Sequence, residues 1–380
     1  MKLRRVIICV SPLLLAFGTT ALAGVLPEDR ADIMYHLYDG GGIEIDGPSI
    51  LVRKQASRNI SIVANYYVDM VSSASIDVIT TASPYTEERT QWSVGMDYLY
   101  ASTTMRANYT SSSESDFDAE TFAFSVSQDM FGDMTTMTLN YTVAADDVGR
   151  SDDPAFGREI SRQHYGIGIT QILTKNLIAA VNFETITDEG FLNNPYRSVR
   201  YLDFGSANGY SFEPELYPNT RTSNAFGLRA RYYLAYRAAV EGEYRFYTDT
   251  WNIDGHTFAL TYVHPMGPWT FTAKYRYHDQ SGADFFNDLF PRSQATNFRG
   301  RDKELSPLTS QTLKLAASYE FIGNAESRGF IKRGTVNVSL DVLTIDYHAF
   351  RDLTSGASAG FEPLYALDAD IVQIFFSFWY

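Results

Sequence analysis

Along the whole chain, runs of about ten residues alternate apolar and polar side chains between turn-forming residues, the period-two signature of β-strands. Within 59–71, Ile60, Ile62, Ala64, Tyr66, Val68 and Met70 share one face, while Ser61, Asn65, Tyr67 and Asp69 share the other. Within 91–100, Trp92, Val94, Met96, Tyr98 and Tyr100 oppose Ser93, Gly95 and Asp97. Within 268–280, Trp269, Phe271, Ala273, Tyr275 and Tyr277 oppose Thr270, Thr272, Lys274, Arg276 and His278, so the second face is charged. Sixteen strands are predicted this way, at 31–38, 42–54, 59–73, 88–100, 103–113, 117–129, 133–145, 159–172, 176–187, 222–235, 237–251, 254–265, 268–280, 309–322, 333–347 and 365–380.

Alternation alone suits a soluble sandwich as well as a membrane barrel. The connections separate the two. Those near 55–58, 101–103, 130–133, 173–175, 236–237 and 265–268 read as short, with 323–332 the longest on that side. Those near 74–87, 147–158, 188–221, 281–306 and 349–364 read as long. Short turns at one end and long loops at the other predict a transmembrane antiparallel up-and-down β-barrel with short periplasmic turns and long extracellular loops. An even count closes the wall without a free edge and puts both termini on the periplasmic side. Asp39-Gly40-Gly41-Gly42 reads as a tight turn joining the first pair; were Ile33–Tyr38 tucked into the lumen instead, the count would be fourteen.

Both ends of the chain fit an exported barrel. Val372, Ile374, Phe376, Phe378 and Tyr380 occupy alternate positions counted back from the C-terminus. Such an aromatic-ended strand resembles the signal read by the barrel-assembly machinery, the bland alternative being an ordinary core strand. Lys2, Arg4 and Arg5 precede an apolar run from Val6 to Phe17 and the small residues of Ala21-Leu22-Ala23, the layout of a secretory leader. Residues 1–23 are therefore expected to be a signal peptide, and 24–380 one barrel domain in a Gram-negative outer membrane, contacting its lipid and lipopolysaccharide. No apolar stretch reaches the length of a spanning helix. The single cysteine, Cys9, would leave with the leader, which removes disulfides and cysteine nucleophiles. The same loss takes the formal net charge from −14 to −17, opposite to the basic footprint that nucleic acid requires.

Three stretches carry a family resemblance: Tyr67-Val-Asp-Met-Val-Ser-Ser-Ala-Ser-Ile-Asp-Val, Arg162-Gln-His-Tyr-Gly-Ile-Gly-Ile-Thr-Gln-Ile-Leu-Thr and Ala283-Asp-Phe-Phe. They resemble the bacterial family of domain of unknown function 3570, whose members are predicted outer-membrane proteins. The resemblance implies the barrel and no established activity. It also implies, from the genes often found beside such proteins, a small lipoprotein or periplasmic redox partner.

With the apolar face against lipid, the inward set becomes readable. It holds Arg229, Arg231, Glu241, Glu243, Arg245, Tyr247, Asp249, Lys274, Arg276 and His278, then Lys314 and Glu320. One reading is a salt-bridge lattice that stiffens the wall or fills the lumen. The other is a selectivity lining, although mixed signs argue against strong selectivity. The wall at Thr121, Ala123, Ser125, Thr136, Thr138, Asn140 and Thr142 is uncharged. In the loops, Asp284, Asp288, Asp302 and Glu304 are the candidate ligands for a hard cation such as Ca²⁺. They lack calcium-loop spacing and suit a solvated surface equally, so no cofactor is expected. The 188–221 loop exceeds a connector's length, so it is expected to constrict the mouth or cap it. Among the histidines, His256 and His264 fall in the lipid-facing phase, and His164 and His278 face inward with no nucleophile placed beside them.

The first functional reading is a channel or transporter for a small solute or metal complex. The second is a scaffold housing or exporting a small lipoprotein or redox partner. A surface hydrolase comes third, and the chain is read as a non-enzyme.

Overall fold

Among the described residues, sixteen strands pair their backbone groups in one closed antiparallel sheet. Such closure is what lets β-structure cross hydrocarbon, where no water satisfies a free N–H or C=O. The computed structural model describes residues 25–73, 85–322 and 330–380. The expected leader with Cys9, most of the 74–87 connection and most of the 323–332 turn lie outside the described residues.

The wall begins with β1 (Arg30–Gly40), β2 (Ile43–Ser57), β3 (Ile60–Ser73), β4 (Tyr85–Tyr100) and β5 (Thr103–Ser113). It continues through β6 (Phe117–Met130), β7 (Thr135–Val148), β8 (Arg158–Thr174) and β9 (Leu177–Gly190). After an excursion come β12 (Thr220–Tyr233), β13 (Ala239–Asp249), β14 (Asp254–Met266) and β15 (Trp269–Gln280). Then β16 (Leu308–Ile322), β17 (Arg333–Arg351) and β18 (Leu364–Trp379) complete it. The excursion is a hairpin outside the wall, β10 (Ser198–Leu202) and β11 (Tyr210–Pro214), which the sequence pattern did not predict.

Closure settles the first pair. β1 pairs with β2 on one side and with β18 on the other, from Arg30↔Trp379 to Gly40↔Ala369. It is a wall strand, and the count is sixteen. Gly41 and Gly42 turn the hairpin with φ +59° and +75°, the doubly positive backbone that a two-residue hairpin loop requires.

The two faces follow the predicted phase. Val94, Phe124, Ile167, Leu228, Leu260, Leu315, Leu340 and Phe376 are exposed on the outside, whereas inward Ser61, Asp69, Asp97, Ser339 and Ser377 are buried. That inverts a soluble protein and matches a wall bathed in lipid. Tyr100, Phe131, Tyr236, Trp269 and Phe321 are exposed aromatics at the end carrying the termini and the short turns. No helix is long and apolar enough to cross a membrane; the crossing is made by strands.

At the opposite end the connections are less regular than predicted. Three of them, 41–42, 114–116 and 250–253, are as short as turns. The loops 149–157, 191–219, 281–307 and 352–363 share that end. The last strand stops at Trp379, so Tyr380 lies one residue past the ladder. Its hydroxyl donates to the Arg53 carbonyl at 3.0 Å and its ring stacks on Phe330. Upstream, Ile374 and Phe376 are exposed to lipid, and Phe378 meets the edge of Phe321; Val372 shares their parity.

Candidate functional site

The buried apolar side chains collect at the loop end, where loops fold onto the inner wall. One cluster joins Leu308, Tyr347, Leu367 and Ala369, inward tips of β16 to β18, to Phe350 and Phe286. A second joins Trp251 and Ile253 of the β13–β14 turn to Tyr217, Ala283 and Leu305. The 281–307 loop also extends the β10–β11 hairpin. Leu202 N–H donates to the Phe290 carbonyl at 2.9 Å, and Leu216 and Arg299 exchange a backbone pair at 2.9 and 2.8 Å. These contacts make a folded cap.

Arg200 of β10 is its pivot. The side chain is fully buried, paired with Asp288 and Glu362 from two different loops. Its Nε donates to the Asp288 carbonyl at 2.9 Å and its Nη2 to Glu362 Oε2 at 3.2 Å. Arg301 holds Asp288 from another side at 2.9 Å, and Arg299 holds Glu213 at 2.9 Å. Full burial of an ion group is tolerated here because each charge is matched and hydrogen-bonded.

Two carboxyls of this end respond to pH. Burial pushes Glu215 up to about 7, against the pull of Arg197. Burial and the neighbouring Glu87 push Glu114 to about 7 as well. At Glu362 burial also works to raise the value, but the hydrogen bond from Arg200 outweighs it and holds the carboxyl below its ordinary 4.5. Raised acids bind protons more tightly folded than unfolded, so their contribution is full below 4.5 and fades as pH rises through about 7. Glu362 acts oppositely, and only on the acid side of 4.5. Hydrogen exchange in β10–β11, corrected for intrinsic rates, is therefore expected to be slower at pH 5 than at pH 8. Glu215→Gln should shrink that difference; an unchanged difference would sink the assignment.

Below the cap, the inward charges form a lattice. Arg229 and Arg231 of β12 meet their directly opposite partners Glu243 and Glu241 at 2.8 Å. Lys274 reaches Glu243 at 2.9 Å, and Arg245 reaches Glu184 at 2.6 Å, where His164 also sits at 3.2 Å. Tyr247 donates to Asp249, which Arg221 also holds. His278 Nδ1 lies 2.9 Å from the Thr257 hydroxyl. Lys314 pairs with Asp341 at 2.9 Å, while Glu320 is exposed near the short-turn end. Of the predicted inward set, Arg276 and the exposed Glu320 are the two whose side chains have no ion pair or hydrogen bond among the described residues; their backbones bond within the wall and to the Pro268 carbonyl.

Several of these bridges skip a strand, and small residues make that geometry available. Arg245 crosses β12 beside Gly227 and Ala225 to reach Glu184. Lys274 crosses β14 beside Ala259 to reach Glu243. On the opposite wall the same device recurs where no charge cluster was predicted. His36 faces Gly47 of β2 and reaches over it to Asp69, Nε2 to Oδ1 2.8 Å, with Arg89 on the other carboxylate oxygen at 2.8 Å. A side chain at Gly47 would meet the Val68 carbonyl at 1.9 Å. Arg53 likewise crosses Ser61 to Asp97, which also takes Arg106 at 3.2 Å. Asp69, the one acid of β3, and Arg89 and Asp97, which share one phase of β4, were the available signal. The uncharged wall is confined to β6 and β7, where Ser127 and Thr138 hydroxyls meet at 2.9 Å.

The loop carboxylates do not gather. Asp288 serves Arg200 and Arg301, and Asp302 pairs with Arg197 and caps a 3₁₀ turn. Asp284 accepts from Asn252, and Glu304 lies in that turn. The acids whose ligand atoms do lie together, within 4.8 Å, are Glu87, Glu114 and Asp116. Ser115 and Tyr196 donate to Glu87 and Asp116. Outside the wall, His256 and His264 bond to Tyr244 and Tyr262 at 2.9 Å.

Comparison with known proteins gives a family-model match to part of the chain and likenesses to solved outer-membrane proteins. No curated protein matches the sequence. A bacterial polysaccharide outer membrane secretin is similar in structure, with TM-score 0.48 and 6% identity over 94% of this chain and 99% of that one. A FadL homologue of Pseudomonas aeruginosa gives 0.44 and 9% over 95% and 93%. The siderophore receptor PirA of Pseudomonas aeruginosa gives 0.43 and 9% over 93% and 81%. Likeness at this level carries nothing about activity. Residues 157–331 match the family model described as protein of unknown function (DUF3570), a span that contains the stretches at Arg162 and Ala283 and leaves the one at Tyr67 outside it.

Proposed function

We propose that this chain is an outer-membrane channel or transporter for a small solute, with its termini on the periplasmic side and its loop cap as the gate. The observation that carries the reading is a contrast in hydration. Arg229, Arg231 and Arg245, inside the wall, keep 38, 39 and 44% of their side-chain surface exposed, whereas Arg200 in the cap keeps 0%. A sixteen-strand wall is wide enough for an aqueous lumen, and charges that stay wet inside one describe a water-filled shaft beneath a dry lid. Planar-bilayer recording of the purified barrel is expected to show small, intermittent currents, and larger, sustained ones once the lid is loosened by Arg200→Ala. Zero conductance from both proteins would overturn the reading.

A second reading is a barrel that houses a small lipoprotein or redox partner. It is favoured by the position of the cap, which leaves the short-turn end as the way in. Recovery of a stoichiometric polypeptide with the barrel from native membranes would support it. Assembly would depend on the last strand, with Ile374, Phe376 and Phe378 presented outward to the barrel-assembly machinery.

A further inference from the structure

Arg276 stands out because its neighbours are otherwise paired. On the inner face its cross-strand partners are Ala259 of β14 and Thr312 of β16, neither of them acidic. The strand-skipping geometry that serves Lys274 would lead Arg276 over Ala259 to Glu243. That carboxylate is already held by Arg229 and Lys274 at 2.8 and 2.9 Å. Glu184 is likewise occupied by Arg245. Around Arg276, five cations (Arg229, Arg231, Arg245, Lys274, Arg276) therefore face three carboxylates (Glu184, Glu241, Glu243), on one wall of a protein whose formal net charge is −14.

We propose that Arg276 is an anion station in the lumen, binding a small oxyanion such as a carboxylate or phosphate. This rests on the channel reading and names the solute class for it. A guanidinium presents a planar fork of donors that fits two oxygens of such a group, and Arg276's fork has no partner. The Thr312 hydroxyl opposite it offers a further donor. The surplus of positive charge on this wall draws anions toward the station in an otherwise acidic molecule.

The test uses the full chain in detergent at low ionic strength, with equilibrium dialysis against labelled inorganic phosphate. Saturable binding is expected, weakened at least tenfold in Arg276→Ala and partly retained in Arg276→Lys, which keeps charge but loses the fork. Competition by succinate against phosphate decides between the two oxyanion types. Because Arg276 holds no partner, the alanine variant should keep the heat-modifiable gel mobility of a closed barrel. Equal phosphate binding by wild type and Arg276→Ala, or no saturable binding by either, overturns the proposal. Reversal potentials in a KCl gradient separate it from the channel reading. Currents whose anion preference is unmoved by Arg276→Ala, together with unchanged binding, leave a channel without the station. Binding lost in the variant without any current in either protein leaves the station without a channel.

Discussion

Arg200→Ala is expected to free the loop cap while the barrel stays closed. The substitution strips a fully buried guanidinium from Asp288 and Glu362. Glu362 then keeps a buried charge with no cation, and Asp288 retains Arg301 as its cation and the Arg351 N–H as a donor. Breaking a buried ion set by removing one partner costs roughly 3–5 kcal/mol, because the remaining charge is desolvated and unmatched. The cost falls on the cap, since the ladder of β1 to β18 closes without Arg200. Limited proteolysis should therefore cut within 203–209 or 291–298 in the variant, while the barrel keeps its heat-modifiable mobility. A cap as resistant as the wild type would refute the clamp. Replacing Arg200 together with Glu362, by R200M and E362Q, should recover most of the resistance, because Asp288 keeps Arg301 and the unmatched carboxylate leaves with the cation.

Leu260→Arg carries the second largest effect. Leu260 sits midway along β14 and is exposed on the outer face. A charged side chain at the lipid-facing midplane of a barrel costs roughly 2–4 kcal/mol. Thr142→Arg, at the middle of β7 on the uncharged inner wall, should cost far less because the new side chain enters water. Reversible urea unfolding from lipid vesicles would measure both. Equal effects would mean that the faces are assigned wrongly and that the outer belt does not meet hydrocarbon.

Much of this architecture was legible in the order of residues. A period of two is a local property, and every strand of a membrane barrel meets the same contrast of lipid outside and water inside. Alternation such as Trp92, Val94, Met96 against Ser93, Gly95, Asp97 therefore states both the strand and its facing. The predicted runs recur as the sixteen wall strands, with ends differing by a few residues, where ladders fray or extend past the belt. Directly opposite pairs such as Arg231 and Glu241 were also within reach, because a short turn sets the register of a hairpin.

What folds at the loop end was not. Arg200 meets Asp288 and Glu362 across 88 and 162 residues of chain, and no periodicity links such positions. The β10–β11 hairpin is only five residues per strand and is stabilised by the 281–307 loop laid beside it. Of the loop acids that looked like a hard-cation set, Asp288 and Asp302 are instead taken by arginines, because the cap excludes water and each buried charge needs a counter-charge, while Asp284 accepts from Asn252. The lattice over Gly47, Ser61 and Gly227 depends on which strands lie side by side. Sequence alone determined the barrel, its strands from the third predicted run onward and which face meets lipid, since those follow from neighbour-to-neighbour alternation in two solvents; closure against β18 made the first pair part of the wall. Only tertiary structure decided the cap and left Arg276 without a partner, since both depend on contacts between distant segments.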